Sequence, residues 1–342
     1  MKTKIKTLAM LTLTALSSTA CTEKVSAMTE LETNQTASPA TPSAENQPAP
    51  AFSIQYTTPV PSNFFSEAKQ QGKVERVDYE SKDYTGPMTT TNKPAYVYVP
   101  YGYDPSQKYD IIYLVHGWGG NAEGYFASRY GAQMKNLFDN LIAEGRCKPF
   151  IAVSPTWDKD NRGKGWGESC EEAAVFSQEY KNDLIPAIES RYSTYAESTD
   201  EAGIIASRDH RAFGGFSLGS ITTWYIFEQV FEVQKYYLPM SGDNWHITMF
   251  GGASHPQETA AFLRDHVNAS PYKGDGFYVW YAVGDEDVRL AQTHNQALAM
   301  GALTDTFKST NFSYHQKKGG RHDMNAVWEF CYHALPFFFP KE

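Results

Sequence analysis

A serine flanked by glycines, Gly215-Phe216-Ser217-Leu218-Gly219, stands where a strand-like run (RAFGGF, Arg211 to Phe216) meets a helix-like one (LGSITTWYIFEQV). Such a junction can hold a Ser hydroxyl exposed on a sharp turn, with glycines beside it because side chains there would clash. The string by itself also fits a Gly-rich loop; its strand-to-helix context favours a nucleophile. A serine hydroxyl is weak at its own pKa and needs a base, which in turn needs an orienting acid. In a frame of this kind the three follow in the order Ser, Asp or Glu, His.

That order filters the nine histidines. His116 and His210 precede the serine, and His246 and His255 follow it too soon to leave an acid-bearing strand between. His266, His294 and His333 fall in helix-like segments, and His315 lies within a strand-like run (FSYHQ). His322 remains, in the loop KKGGRHDMN, where paired glycines let an imidazole reach over a sheet edge; the competing role is a helix-capping histidine. For the acid, the strand FYVWYAV runs into Gly284-Asp285-Glu286-Asp287, and Asp243 follows the strand YYLPM. Spacing alone does not separate Asp285, Glu286, Asp287 and Asp243. An acyl-transfer intermediate also needs backbone N–H donors for its oxyanion. Leu218 supplies one as the residue after the nucleophile, and His116-Gly117-Trp118-Gly119-Gly120, after the strand DIIYLV, offers the Trp118 N–H as the second.

These groups need a rigid frame, and the chain alternates strand and helix signals to provide one. Val74 to Tyr79, Ala95 to Val99, Asp110 to His116, Phe150 to Ser154, Arg211 to Phe216, Tyr236 to Met240 and Phe277 to Val283 read as strands, the third as a near-continuous apolar run expected of a central one. Helices are expected over Ala132 to Glu144, Glu171 to Tyr192, Leu218 to Phe231, Gln257 to Val267, Leu290 to Leu303 and Met324 to Phe338. The order implies an α/β fold with a mostly parallel sheet and helices on both faces. With 342 residues the chain is long enough for a large core, and 30 Lys+Arg against 39 Asp+Glu give a net charge of −9. That acidic balance, with no concentrated basic patch, argues against nucleic acid as a partner. The 20 Phe, 22 Tyr and 7 Trp suit a protein that handles sugars or aromatic groups, and equally a well-filled core.

The first residues speak to compartment. MKTKIK followed by the short apolar run TLAMLTLTAL and SSTA reads as a secretory signal over residues 1–20. Cys21 directly after it resembles a lipobox, with Ser18 where that motif usually has Leu; ordinary cleavage with release is the alternative. Either way an exported protein is expected, lipid-anchored at the surface or secreted. Residues 21–51, rich in Thr, Ser, Pro and Ala, read as a disordered tether, leaving 52–342 as the folded domain. Beyond Cys21 only Cys147, Cys170 and Cys331 remain, so at most one disulfide is open to them. With no C-x-x-C, H-E-x-x-H or carboxylate-rich calcium loop, no metal is expected.

The strings YLVHGWGGNAEGYF, NDLIPAIESRYS, DHRAFGGFSLGS, YAVGDEDVRLAQ and GGRHDMNAVWEF, in this order, resemble the feruloyl esterase domains of carbohydrate esterase family 1, such as those attached to bacterial xylanases. The resemblance spans roughly Tyr96 to Phe338, while the loop from Ser241 to His255 matches poorly. It implies an α/β-hydrolase fold and places the triad acid at Asp287, with Ser217 and His322 matching nucleophile and base. Where members often carry G-T-N-D, this chain has G-D-E-D. The expected activity is hydrolysis of feruloyl esters on plant cell-wall polysaccharide such as arabinoxylan, without a cofactor. An acetylxylan or other short-chain esterase, and a non-catalytic carbohydrate-binding surface lipoprotein, are the rival readings. In the loop SGDNWHITMFGGASH, Trp245 is expected to line the acyl or sugar subsite; the competing role is an anchor for the loop.

Overall fold

The computed structural model describes residues 53–158 and 164–341. The signal segment, Cys21 and the tether lie outside the described residues. Among these, nine strands join in one sheet: β1 (Gln55–Tyr56), β2 (Lys73–Lys82), β3 (Thr90–Val99), β4 (Asp110–Val115), β5 (Phe150–Ser154), β6 (Arg211–Phe216), β7 (Tyr236–Met240), β8 (Tyr278–Gly284) and β9 (Phe312–Lys317). Their spatial order is β1-β9-β8-β7-β6-β4-β5-β3-β2. β3 runs antiparallel to both β2 and β5, and every other pairing is parallel. This is the α/β-hydrolase architecture.

Alternation along the strands sorts the core into two layers. Ile111, Tyr113 and Val115 of β4 join Phe213, Tyr237 and Tyr281 on one face, while Ile112 and Leu114 join Ala212, Leu238 and Trp280 on the other. Because both faces are covered, β4 is buried at all six positions, which is why its sequence reads as an unbroken apolar run. On the first face lie helices α2 (Trp166–Glu179), α3 (Leu218–Gln229), α4 (Pro256–Ala269) and α5 (Leu290–Gly301), contributing Phe176, Trp224, Leu263 and Met300. The second face is covered by α1 (Gly131–Ala143) and α6 (Met324–Phe338), through Leu137, Phe138, Phe330 and Leu335. The edge strand β2 shows the opposite habit. Its outer positions alternate exposed Lys73, Glu80 and Lys82 with buried Val77, Tyr79 and Ser81, and such charges discourage pairing with another chain.

The helix expected over Glu171 to Tyr192 begins earlier, at Trp166, and is not uniform. After α2 the chain makes a π turn (Tyr180–Leu184) before a last helical piece, Ile185–Glu189. Pro186 is the cause we assign. It has no N–H to donate back along the helix and its ring crowds the preceding turn, so the hydrogen-bond register shifts there. No disulfide joins Cys147, Cys170 and Cys331, all of which are buried. Burial pushes the Cys147 and Cys331 thiols up to about 12.

Candidate active site

The groups singled out in the sequence lie at or just beyond the C-terminal ends of parallel strands, the edge where open α/β sheets present a crevice. β6 runs directly into Ser217, whose φ of 60° and ψ of −119° lie where a residue with a Cβ is strained. The flanking glycines are there for contact. A Cβ on Gly219 would stand 2.3 Å from the Val115 carbonyl oxygen, and one on Gly215 would stand 2.4 Å from that of Gly219. The turn is held from both sides: the Ser217 N–H donates to the Met240 oxygen at 2.9 Å, and the Ser217 oxygen accepts from the Ser220 N–H at 2.8 Å. Leu218 opens α3, so its N–H is among those a helix leaves without an internal partner.

His322 sits in the loop after β9 with its ring against Phe216, centroids 4.4 Å apart. Its Nδ1 lies 2.8 Å from Asp287 Oδ1, which also accepts the Arg289 N–H at 2.7 Å; Asp287 is 5% exposed. With Nδ1–H donated to a carboxylate, Nε2 carries the lone pair a base needs. The other three carboxylates are occupied elsewhere. Asp285 accepts the Gly319 N–H at 2.6 Å, and the exposed Glu286 pairs with Arg321 at 3.1 Å. Asp243 is buried and accepts Trp245 Nε1 at 2.9 Å and the Gly252 N–H at 2.8 Å; burial pushes its carboxyl up to about 6. Two glycines set the register between acid and base loops. A Cβ on Gly284 would meet the Gly320 oxygen at 2.1 Å, and this contact brings the Asp285 N–H to the Lys317 oxygen (3.0 Å) and the Glu286 N–H to the Gly320 oxygen (2.9 Å).

The turn after β4 packs against the same serine. A Cβ on Gly117 would stand 3.1 Å from Ser217 Cβ, which puts Trp118 one residue further along. His116 fastens this turn: its Nδ1 is 2.8 Å from the Gly117 oxygen, its Nε2 2.7 Å from Thr156 Oγ1, and its ring lies on Trp157 with centroids 4.1 Å apart. Burial lowers the His116 pKa to about 4, so the ring is neutral near pH 7. The sequence filter set His116 aside as a base and did not see this fastening role; only the distant Thr156 and Trp157 reveal it.

Trp245 is corrected. At 3% exposure it belongs to the core, with its Nε1 on Asp243 and its ring 5.9 Å from Trp166 and 5.3 Å from Phe250. It is the anchor of the loop after β7 and not an open subsite wall. Arg289, which spacing did not mark, is partly buried beside Asp287, with its guanidinium 4.7 Å over the Phe250 ring. Among the described residues no three His, Cys, Asp or Glu side chains converge closely enough to hold a metal ion.

The family model described as "Putative esterase" matches residues 87–334. Over 307 residues the chain is 36% identical to endo-1,4-beta-xylanase Y of Acetivibrio thermocellus, covering 87% of this chain and 26% of the relative. It is 30% identical over 179 residues to an endo-1,4-beta-xylanase/feruloyl esterase of Xylanibacter ruminicola, covering 51% of this chain and 22% of that protein. The chain thus spans about a quarter of the length of these curated relatives. In structure it is similar to the feruloyl esterase module from Clostridium thermocellum, solved with sinapinate, at 34% identity and a TM-score of 0.71, covering 84% of this chain and 95% of that one.

Proposed function

The chain belongs to this esterase family, and from that premise we propose that it hydrolyses feruloyl esters on plant cell-wall polysaccharide such as arabinoxylan through an acyl-enzyme on Ser217. The observation that carries the reading is the His322–Asp287 pair, 2.8 Å apart, on the same sheet edge as the strained Ser217. The similarity to a feruloyl esterase module along nearly its whole length supports the acyl group. The relation to xylanases supports the polymer.

In this mechanism His322 Nε2 takes the proton from Ser217 Oγ as the oxygen attacks the ester carbonyl. The Leu218 and Trp118 N–H groups receive the oxyanion, each donor of this kind contributing about 10²–10³ in rate. Collapse of the tetrahedral intermediate breaks the bond to the sugar oxygen, which leaves with the proton held by His322. Water then attacks the acyl-enzyme and gives a proton to His322, which passes it to Ser217 Oγ as the acyl bond breaks, so that ferulic acid and free Ser217 result. Asp287 holds the imidazole in the required tautomer and stabilises its charged form. A fluorophosphonate probe should label the protein and fail to label Ser217→Ala, and the protein should release ferulate from feruloylated arabinoxylan. Labelled protein that frees acetate from acetylxylan faster than ferulate would sink the acyl assignment; protein that binds xylan and is never labelled would sink the enzyme.

The same proposal takes residues 1–20 as an export signal, Cys21 as a lipid anchor at the cell surface and 21–51 as the tether of a domain at 52–342. The composition of those segments supports it. Fractionation of cells expressing the full chain and Cys21→Ala should move the variant from membrane to soluble exported fraction; equal distribution would leave Cys21 beside an ordinary cleavage site.

A further inference from the structure

Among the described residues Trp118 is one of few large apolar side chains left open to water, 53% exposed, while its neighbour Trp166 is partly buried. The exposure is not that of a loose side chain. The indole Nε1 donates to the Lys164 oxygen at 3.0 Å, and the ring stands edge-to-face on Trp166, centroids 5.5 Å apart at 89°. Trp118 is therefore held at its Nε1 and against Trp166 while about half of its surface stays open to water.

The turn itself gives no reason for an indole at this position. It needs a residue without a side chain at 117, where a Cβ would press on Ser217. It needs a left-handed backbone at Gly119 (φ 75°), and at Gly120 a Cβ would lie 2.8 Å from the His116 side chain. Position 118 contributes only its backbone to the turn, and any residue supplies that. The ring belongs to neither core layer. A large apolar surface that the backbone of the turn does not require, about half open to water and fixed in place one residue from the contact with Ser217, has the marks of a binding surface.

From this we infer that the Trp118 indole is a platform on which a sugar ring of the polysaccharide stacks beside the ester, so that one residue supplies a backbone donor to the oxyanion of the acyl group and a side-chain surface to the leaving group. The inference rests on the esterase reading above. Two ring types would suit a flat apolar face, the aromatic acyl group and a sugar presenting its C–H face. An aromatic acid gains from enclosure on both faces, whereas a half-exposed platform whose N–H is already engaged suits a ring whose other face stays hydrated, as in a polymer crossing a surface. The observations favour the sugar.

Trp118→Ala keeps the N–H of residue 118 and removes the ring. Two measurements decide. In steady-state kinetics, kcat/KM for a feruloylated arabinoxylo-oligosaccharide relative to that for methyl ferulate should fall about tenfold in Trp118→Ala, chiefly through KM, with Trp118→Tyr recovering most of the ratio. In calorimetric titration, an ester-free arabinoxylo-oligosaccharide should bind the wild-type protein about tenfold more tightly than Trp118→Ala. A ratio that stays constant while both substrates lose equally assigns the ring to the acyl side or to support of the turn, and overturns the platform. So does equal binding of the ester-free oligosaccharide by both proteins. That titration needs no turnover, so a wild-type protein that fails on methyl ferulate would count against the esterase reading and leave the platform to be judged on binding.

Discussion

The strand β6 is six residues long, and its two ends are built on opposite principles. It begins at Arg211, 1% exposed, whose Nε and second terminal nitrogen meet Glu189 Oε1 at 2.6 Å and Oε2 at 2.9 Å. The same guanidinium donates to the Ile204 oxygen and to Ser207 Oγ, and Glu189 also accepts the Tyr113 hydroxyl at 3.1 Å and Thr194 Oγ1 at 2.8 Å. A buried ion pair costs so much desolvation that it persists only when its remaining hydrogen-bonding capacity is met, as here. About 20 Å away at the usual strand rise, β6 ends in the strained Ser217, the opening N–H of α3 and the lone pair of His322. One end has its polar groups satisfied and holds the frame. At the other end strain and unmet capacity face the crevice, and the frame keeps them there.

The hardest blow to the chemical end is loss of the proposed nucleophile. Ser217→Ala should lower kcat on methyl ferulate by about 10⁶, since members of a triad act as a unit. Stability should hardly move, because alanine keeps the Cβ that makes φ 60° unfavourable. Ser217→Gly should abolish activity equally and raise stability by about 1 kcal/mol, roughly 2 °C in Tm for a chain of this size, through relief of that strain. Thermal melts of the two variants side by side check the contrast; a Ser217→Gly protein no more stable than Ser217→Ala would show that the turn stores no strain.

Next is the acid. Asp287→Asn should lower kcat by about 10³–10⁴, the loss expected when the imidazole takes the wrong tautomer. Asp285→Asn and Glu286→Gln should cost less than about tenfold, because these carboxylates meet only a neighbouring N–H and a surface arginine, and exposed pairs are worth little. Rate measurements on the three variants settle the assignment, and a loss at Asp285 to match Asp287 would break it.

This choice among carboxylates marks the border of what the sequence carries. Local patterns were enough for β5, β6, β7 and α6, whose observed bounds coincide with those read from apolar runs and turn residues, and for the serine at the strand-to-helix junction. Asp287 became distinct from Asp285 and Asp243 on the residues' own evidence only when the Gly284–Gly320 contact set one loop against another 36 residues away, a closure no local pattern encodes. Trp245 misled for a related reason. Its loop opens on the face that carries Ser217 and so suggested an open wall, yet Asp243, two residues earlier, takes its Nε1, and the pair is buried together. β1, with two residues, is too short to have a period, and the π turn before Pro186 shifts a hydrogen-bond register without changing the apolar spacing.

The frame end should answer differently. Glu189→Gln leaves the Arg211 guanidinium buried without its counter-charge and should cost about 3–5 kcal/mol of stability, read as a lower midpoint in urea or heat. At 25 °C the protein that stays folded should keep kcat within about twofold, because Glu189 lies at the far end of β6 from Ser217. A kcat that falls in step with stability would mean the two ends are mechanically coupled and that the separation drawn above is wrong.

The smallest effect sharpens the comparison, because it concerns a titrating group at the chemical end. His116 is 5% exposed and burial lowers its pKa to about 4, below the value of about 6.5 expected in the unfolded chain. Above pH 6.5 both states hold the ring neutral and stability does not depend on it. As pH falls from 6.5 toward 4 the unfolded chain takes up a proton that the folded one refuses, so stability is lost across that window. At pH 5 the loss from this one group is about 2 kcal/mol, from roughly 1.5 units at 1.36 kcal/mol each. His116→Asn removes the titration, so its unfolding free energy should start lower at pH 7 through the lost contacts with Thr156 and Trp157, and then decline less steeply between pH 7 and 5 by about that amount. Other buried groups add their own slopes, His315 in the same direction with a pKa lowered to about 3 and Asp243 in the opposite one with a carboxyl raised to about 6, but both are present in wild type and variant and cancel in the difference. Urea midpoints at pH 5, 6 and 7 for the two proteins give that difference directly, and parallel curves would mean that the folded turn takes up the proton as readily as the unfolded chain, so that burial does not hold His116 neutral there.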